Sequence, residues 1–264
     1  MLSKIIKKSR KIVIKIGSNT ISDKNGEVNN ETMSNLVEQV SSLIALGKQI
    51  IIVSSGAGVF GTAAINKWSR KEDINFKQAL CAIGQVELMN AYKNMFQKHS
   101  IKVAQMLLTR DDFSDNNRTL NIRNTLFTLV DEGVVTIINE NDSVSIEEIK
   151  IGDNDTLAAL TTNLWNADLL ILLSDIDGVY DSNPKDNPSA GLIEEVYDTD
   201  ELLEEIDSSG KSNFGTGGIV TKISAAKKVN EYGIPMILTN GKKENILLKL
   251  LAGEEKATIF FGKQ

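Results

Sequence analysis

Gln49-Ile50-Ile51-Ile52-Val53 is a short, unbroken apolar run, and its surroundings decide how it folds. A strand that is apolar at successive positions, without alternation, is the kind buried on both faces of a parallel sheet. Upstream, Met33, Leu36, Val37, Val40, Leu43 and Ile44 recur at helical spacing, and Gly47 supplies the stop. Downstream, Ser54-Ser55-Gly56-Ala57-Gly58 places hydroxyls and glycines where a strand hands over to a helix. The same alternation runs through the chain. Further strands are expected at 11–16, 103–108, 134–138, 169–173, 235–239 and 258–261. Further helices are expected at 76–98, 118–131, 156–165, 219–232 and 245–251, and a projecting hairpin at 144–151. Such alternation implies an α/β fold: a three-layer αβα sandwich around a mostly parallel open sheet. No linker or fixed-period repeat interrupts 1–264, which reads as one domain with two lobes, about 1–165 and 166–264.

Composition removes several classes of function. Apolar residues make up 41% and charged residues 24% of the 264, ordinary values for a globular protein. A net charge of -6 argues against general nucleic-acid binding. The basic start, Lys4 to Lys11, reads as a solvated lead-in to the first strand; no apolar region follows it that would make a signal peptide. No run approaches the length of a membrane span. Cys81 is the only cysteine and sits among Ala79, Leu80, Ala82 and Ile83, so it reads as a buried structural thiol in a cytoplasmic protein. His99 is the only histidine and lies in a polar helix exit, which leaves no serine–histidine catalysis and no histidine-rich metal site.

Chemistry concentrates at the strand ends. Asn139-Glu140-Asn141-Asp142 follows one strand, and Gly152-Asp153-Asn154-Asp155 follows Ile149-Lys150-Ile151. In open α/β sheets, ligands bind beyond the carboxyl ends of the strands. Amides donate and accept while carboxylates accept, a combination suited to a zwitterion; the alternative is two polar turns. Lys15-Ile16-Gly17-Ser18 sets a lysine against a glycine turn, and Gly215-Thr216-Gly217-Gly218 runs into a helix carrying Lys222. Glycine turns at helix starts expose amides that cradle anions, and fixed cations offset charge developing on a transferring phosphoryl group. Ser174-Asp175-Ile176-Asp177 leaves another strand and either contacts a nucleotide or forms an ordinary turn. Two motifs are decoys. Gly56-Ala57-Gly58-Val59-Phe60-Gly61 matches a dinucleotide fingerprint, but the acidic residue that should end a second strand falls at Glu72 or Asp73 in a polar stretch. Gly210-Lys211-Ser212 imitates the end of a P-loop whose upstream glycine is here Glu205.

Taken together, these elements resemble the amino-acid kinase family over essentially the whole chain. They do so through Val13–Ser18, Val53–Ala57, Gln105–Arg110, Ile138–Asp142, Ile149–Asp155 and the Gly215–Lys222 loop. The pairing of the two amide clusters is that of the glutamate 5-kinases within the family. N-acetylglutamate kinases usually carry a second glycine where this chain has Ser18. The resemblance implies transfer of the γ-phosphoryl of ATP, with Mg²⁺, to the side-chain carboxylate of L-glutamate as the first step of proline synthesis. It assigns Lys15 and Lys222 to the transferring phosphoryl and Asp155 to orienting the lysines. Ser55, Asp142 and Asn154 would hold glutamate. Lys15, Ser174, Asp175, Thr216, Gly217, Gly218, Ile219, Val220, Thr221 and Lys222 would hold the nucleotide, and no protein ligand is assigned to the metal. The lobe up to about 165 would then bind glutamate and the remainder the nucleotide. Inhibition by L-proline, handover of the labile product to a glutamyl-phosphate reductase, and a homo-oligomer are further expectations. Many bacterial members add a C-terminal PUA domain, for which the sequence ending at Gln264 leaves no room. A competing reading is a non-catalytic amino-acid sensor on the same fold, which would have no need of both lysines.

Overall fold

The computed structural model describes residues 1–23, 25–65, 73–145, 154–184, 186–187, 189–208 and 218–262. Its strands are β1 (Lys11–Ile16), β2 (Gln49–Ser54), β3 (Val103–Leu108), β4 (Val135–Glu140), β5 (Leu169–Ser174), β6 (Val179–Tyr180), β7 (Leu192–Ile193), β8 (Glu195–Val196), β9 (Met236–Asn240) and β10 (Thr258–Phe260). Eight of them form one sheet in the order β3-β4-β2-β1-β5-β9-β10-β8, and β6 pairs with β7 alone. Neighbours run parallel except β9 and β10. The helices are α1 (Leu2–Lys8), α2 (Asn30–Ala45), α3 (Ala57–Ile65), α4 (Ile74–Gln97), α5 (Asn116–Asp131), α6 (Asn154–Trp165), α7 (Thr199–Ser208), α8 (Gly218–Asn230) and α9 (Ile246–Ala252).

The unbroken apolar strands are explained by two separate cores, one on each face of the sheet. Ile12, Ile14, Ile50, Ile52, Leu169 and Ile171 belong to one; Val13, Ile51, Val53, Leu170 and Leu172 belong to the other. Successive side chains leave a strand on opposite faces, so a strand covered on both sides is apolar at successive positions except where a buried polar group finds a partner.

Three helices depart from the expected layout. The basic start is a helix, α1, whose lysines Lys4, Lys7 and Lys8 are exposed while Ile6 is buried. Its end is held from afar: Lys48 Nζ donates to the carbonyls of Ile6, Lys7 and Ser9 at 3.0, 2.7 and 2.6 Å. Helix α3 occupies most of the glycine-rich decoy. A Cβ on Gly84 of α4 would lie 1.8 Å from the carbonyl oxygen of Ala57 and 2.2 Å from the nitrogen of Gly61. Gly61 and Gly84 therefore let the two helix backbones touch, which is a packing role. Helix α7 is the third. The expected hairpin lies, from residue 146 on, outside the described residues.

Candidate active site

The carboxyl ends of β1, β2 and β5 meet at one point. The amide of Gly17 donates to the Leu173 carbonyl at 3.3 Å, and that of Ser55 to the Ile16 carbonyl at 3.0 Å. Lys15 is in phase with Val13, which faces the core shared with Leu157 and Ala158 of α6. Its ammonium consequently meets the first turn of that helix. Lys15 Nζ lies 2.6 Å from Asp155 Oδ1, and Lys222 Nζ, from the first turns of α8, lies 3.1 Å from Asp155 Oδ2. Thr221 Oγ1 is 3.2 Å from the same oxygen. Lys15 is 5% exposed and Asp155 1%. Burial pushes the Asp155 carboxyl up, but the charges of Lys15 and Lys222 and their hydrogen bonds outweigh it and hold the pKa below the usual carboxylate range. One carboxylate between two ammonium groups leaves a net positive centre with fixed geometry.

Lys15 and Lys222 line a cleft of about 180 Å³ together with Gly17, Ser18, Asn19, Ser55, Ser174 and Asp175. Ser18 and Asn19 open a short 3₁₀ turn, so among the described residues their amides have no backbone acceptor and remain as donors. Asn19 Nδ2 donates to Asp175 Oδ2, and Ser174 Oγ to Asp175 Oδ1, both at 3.2 Å. The cleft thus joins cations, free amides and a polar wall, which is what a phosphate chain requires.

Beside it runs a buried amide network. Asn154 Nδ2 donates to Ser55 Oγ at 2.6 Å and to Asn139 Oδ1 at 2.9 Å. The Glu140 amide donates to the same Asn139 oxygen at 2.9 Å. Asn139 and Glu140 end strand β4, while Asn154 and Asp155 occupy the first turn of α6, which begins ahead of the expected 156. The polar-turn reading fails for these two pairs but holds for Asn141 and Asp142, where the Asn141 carbonyl accepts from the amides of Val144 and Ser145; Gly152 and Asp153 lie outside the described residues. Asp142 is 5% exposed and lines a second cavity, of about 210 Å³, with Gln85, Glu140 and Asn141.

Of the residues proposed from sequence, Lys15, Asp155, Lys222 and Thr221 share one contact network, and Ser55, Ser174 and Asp175 share its cleft. Ser55 also bonds Asn154. Asp142 faces the neighbouring cavity, and residues 146–153, which lead from it to Asn154, are outside the described residues. So are Thr216 and Gly217. Gly218 begins α8; Ile219 is buried in the core and Val220 packs against that core, so their side chains turn away from the cleft and only their backbone is left for a nucleotide. Asn139 had been read only as part of its cluster, with no role of its own, and Asn19 had been given none. The signal for Asn139 was present, an amide continuing a strand that is buried throughout; Asn19 carried none.

Residues 10–240 match the amino acid kinase family. The chain is 67% identical over 260 residues to a glutamate 5-kinase of Alkaliphilus metalliredigens (strain QYMF), covering 98% of each. It is 43% identical over 267 residues to one of Clostridium perfringens (strain 13 / Type A), covering all of this chain and 99% of that one. Among solved structures, UMP kinase from Ureaplasma parvum superposes with a TM-score of 0.67 at 19% identity, covering 96% of this chain and 99% of that one. An isopentenyl phosphate kinase does so with 0.64 at 19%, covering 95% and 99%. These two share the fold; the sequence relatives share far more, and the chain belongs to the amino acid kinase family, grouping within it with the glutamate 5-kinases.

Proposed function

We infer that this chain transfers the γ-phosphoryl of ATP to the side-chain carboxylate of L-glutamate, giving L-glutamyl 5-phosphate, the first step of proline biosynthesis. Near-full-length identity to glutamate 5-kinases supports the reaction. The observation that carries the mechanism is the Lys15–Asp155–Lys222 unit, buried at Lys15 and Asp155, beside a cleft rich in amides.

The chemistry fits what the site holds. A glutamate side chain has a reference pKa of about 4.3, so the acceptor is already ionised at neutral pH and needs no general base. A hydroxyl acceptor would need one. The obstacle is bringing one anion to another. Lys15 and Lys222 reduce it by lying on the phosphoryl group as it passes, and Asp155 keeps both ammonium groups in place without neutralising both. Ser55 and Asn154 hold the glutamate head group, Asp142 takes its ammonium, and the lobe beyond about residue 166 supplies the nucleotide site, with Ser174, Asp175 and the 216–222 turn. Mg²⁺ would be carried by the nucleotide phosphates and would supply positive charge against the transferring group. Among the described residues no group of three or more His, Cys, Asp and Glu could hold it.

Several further readings accompany this one. L-Proline shares the carboxylate and protonated nitrogen of glutamate and would occupy the same pocket. An acyl phosphate hydrolyses readily, which favours direct handover to a glutamyl-phosphate reductase. Exposed Ile83 and Val86 on α4 and Leu107 on edge strand β3 support a homo-oligomer. Among the described residues no helix is long and apolar enough to cross a membrane, and a cytoplasmic location is proposed from the lone cysteine and the substrates. The test is ATP turnover against glutamate, N-acetylglutamate, aspartate, carbamate and UMP. Turnover stimulated by glutamate alone is expected; equal stimulation by another acceptor, or none by glutamate, overturns the reading.

A further inference from the structure

Helix α4 carries three polar side chains at the i, i+7 and i+14 positions of one face: Gln78, Gln85 and Tyr92. Residues seven apart on an α-helix differ by roughly 20° about its axis, so the three form a nearly straight stripe. Gln85 is 8% exposed and Tyr92 1%. An inward stripe is ordinarily apolar. Here each member bonds a different part of the candidate glutamate site. Gln78 Nε2 donates to the carbonyl of Asp142 at 2.9 Å. Gln85 Oε1 accepts from Asn139 Nδ2 at 2.8 Å. The Tyr92 hydroxyl lies 2.8 Å from Ser54 Oγ, which itself donates to the Ser55 carbonyl at 3.0 Å. The single proton of the Ser54 hydroxyl goes to the Ser55 carbonyl, so the Tyr92 hydroxyl is the donor of that pair.

The middle contact has the largest consequence. A carboxamide presents oxygen on one side and nitrogen on the other, and its partners decide which way it faces. Because Gln85 Oε1 takes the nitrogen of Asn139, the Asn139 oxygen is turned to receive Asn154 Nδ2 and the Glu140 amide. The same Asn154 nitrogen reaches Ser55 Oγ, so the orientation of Asn154 follows from that of Asn139. Gly84, beside Gln85, keeps α4 in backbone contact with α3, which begins directly after the Ser55 turn. Gln85 therefore cannot drift relative to the groups it orients.

We propose that Gln85 is a positioning residue for glutamate recognition: it sets the amide of Asn139 and, through it, the amide of Asn154 and the hydroxyl of Ser55, with Gln78 and Tyr92 holding the two ends of the same site. This rests on reading Ser55 and Asn154 as glutamate ligands. Gln85→Met in the full chain removes the acceptor while keeping length and volume. It should raise the apparent KM for glutamate about tenfold, leaving kcat within about threefold and the KM for ATP within about twofold. In an Asn139→Ala background the same substitution should add less than about twofold, because the two act in series. A merely structural role would lower Tm without this KM split. An unchanged glutamate KM in Gln85→Met, or effects that multiply with Asn139→Ala, overturns the proposal. Asn154→Ala separates the two levels: if it leaves the glutamate KM unchanged, the ligand reading itself fails. If it raises the KM while Gln85→Met is silent, only the positioning role does. Should Gln85→Met not fold, Gln78→Met at the half-buried end of the stripe should still raise the glutamate KM about threefold. A flat response there also refutes the stripe.

Discussion

Asp155→Asn keeps the shape of the side chain and removes the charge between two lysines. Lys15 Nζ and Lys222 Nζ lie 2.6 and 3.1 Å from its two oxygens. Ammonium groups held on opposite oxygens of one carboxylate are roughly 5 Å apart, so at an effective dielectric of about 20 their repulsion is about 3 kcal/mol. Lys15 is 5% exposed, so water screens little of it. Removing one partner of a buried ion pair typically costs about 3–5 kcal/mol, which agrees. For a domain of this size that is on the order of 10 °C in Tm. ATP brings the missing negative charge back, so the variant should gain more Tm from saturating ATP than the wild type does. Turnover should nevertheless fall, on the order of 10²–10³ in kcat, because the lysines are no longer oriented for the transferring group. The acid limb gives a second readout. A carboxylate whose pKa is lowered on folding contributes stability that is present above its unfolded value, about 3.9, and lost as pH falls through the folded one. The wild type should lose this contribution in acid while the variant has none to lose. Scanning fluorimetry with and without ATP, from neutral pH down to about pH 3, together with ADP release, reads all three effects. A thermally normal variant, or one whose ATP affinity falls in step with kcat, would show that the carboxylate serves the nucleotide directly and does not organise the lysines.

Other substitutions probe neighbouring parts. Lys222→Ala should lower kcat on the order of 10²–10³ with little change in the KM for glutamate, and Lys15→Ala should behave alike. Their double variant should be less than additive; steady-state kinetics with full additivity would separate their roles. Asp142→Ala should damage glutamate affinity and spare ATP, a difference calorimetry resolves, and collapse of ATP affinity alone would invert the two lobes. L-Proline should raise the apparent KM for glutamate with little effect on kcat, whereas inhibition constant at all glutamate concentrations points to a separate site. Gly84→Ala sets a methyl against the backbones of Ala57 and Gly61. It should destabilise by at least about 1–3 kcal/mol in chemical denaturation, and a neutral result would mean the α3–α4 contact can open.

The central strands were legible because burial on both faces leaves no choice of residue, and β1 spans the residues expected of it. What escaped depends on contacts distant in sequence. Helix α1 is too short for its own periodicity to announce it, and its last turn is held by Lys48. Helix α3 contains Gly58 and Gly61, which argue locally against a helix; the approach of the α4 backbone at Leu80 explains Gly61, and nothing in the packing requires Gly58. Helix α7 is different, since Asp198 Oδ1 caps its start by accepting from Asp200 and Glu201, a local signal that was there to be read.

The site divides along the same line. Residue type alone makes Asn139 and Asn154 turn formers, yet turns are exposed and these side chains are 1% and 0% exposed. A buried amide inside a strand or helix must find partners on several elements at once, which fixes those elements to one another. Position within a regular element, more than residue type, separates a site from a turn here. Lys15 is the clearest case. Flanked by Val13, Ile14 and Ile16 in a strand covered on both faces, its charge would be prohibitively costly without a partner. The strand itself therefore demands an acid from elsewhere in the chain, and Asp155, brought in by α6, is that acid. The second lysine on the same carboxylate exceeds what neutralising Lys15 requires. That surplus positive charge has no structural use in the core, and a transferring phosphoryl group is what it suits.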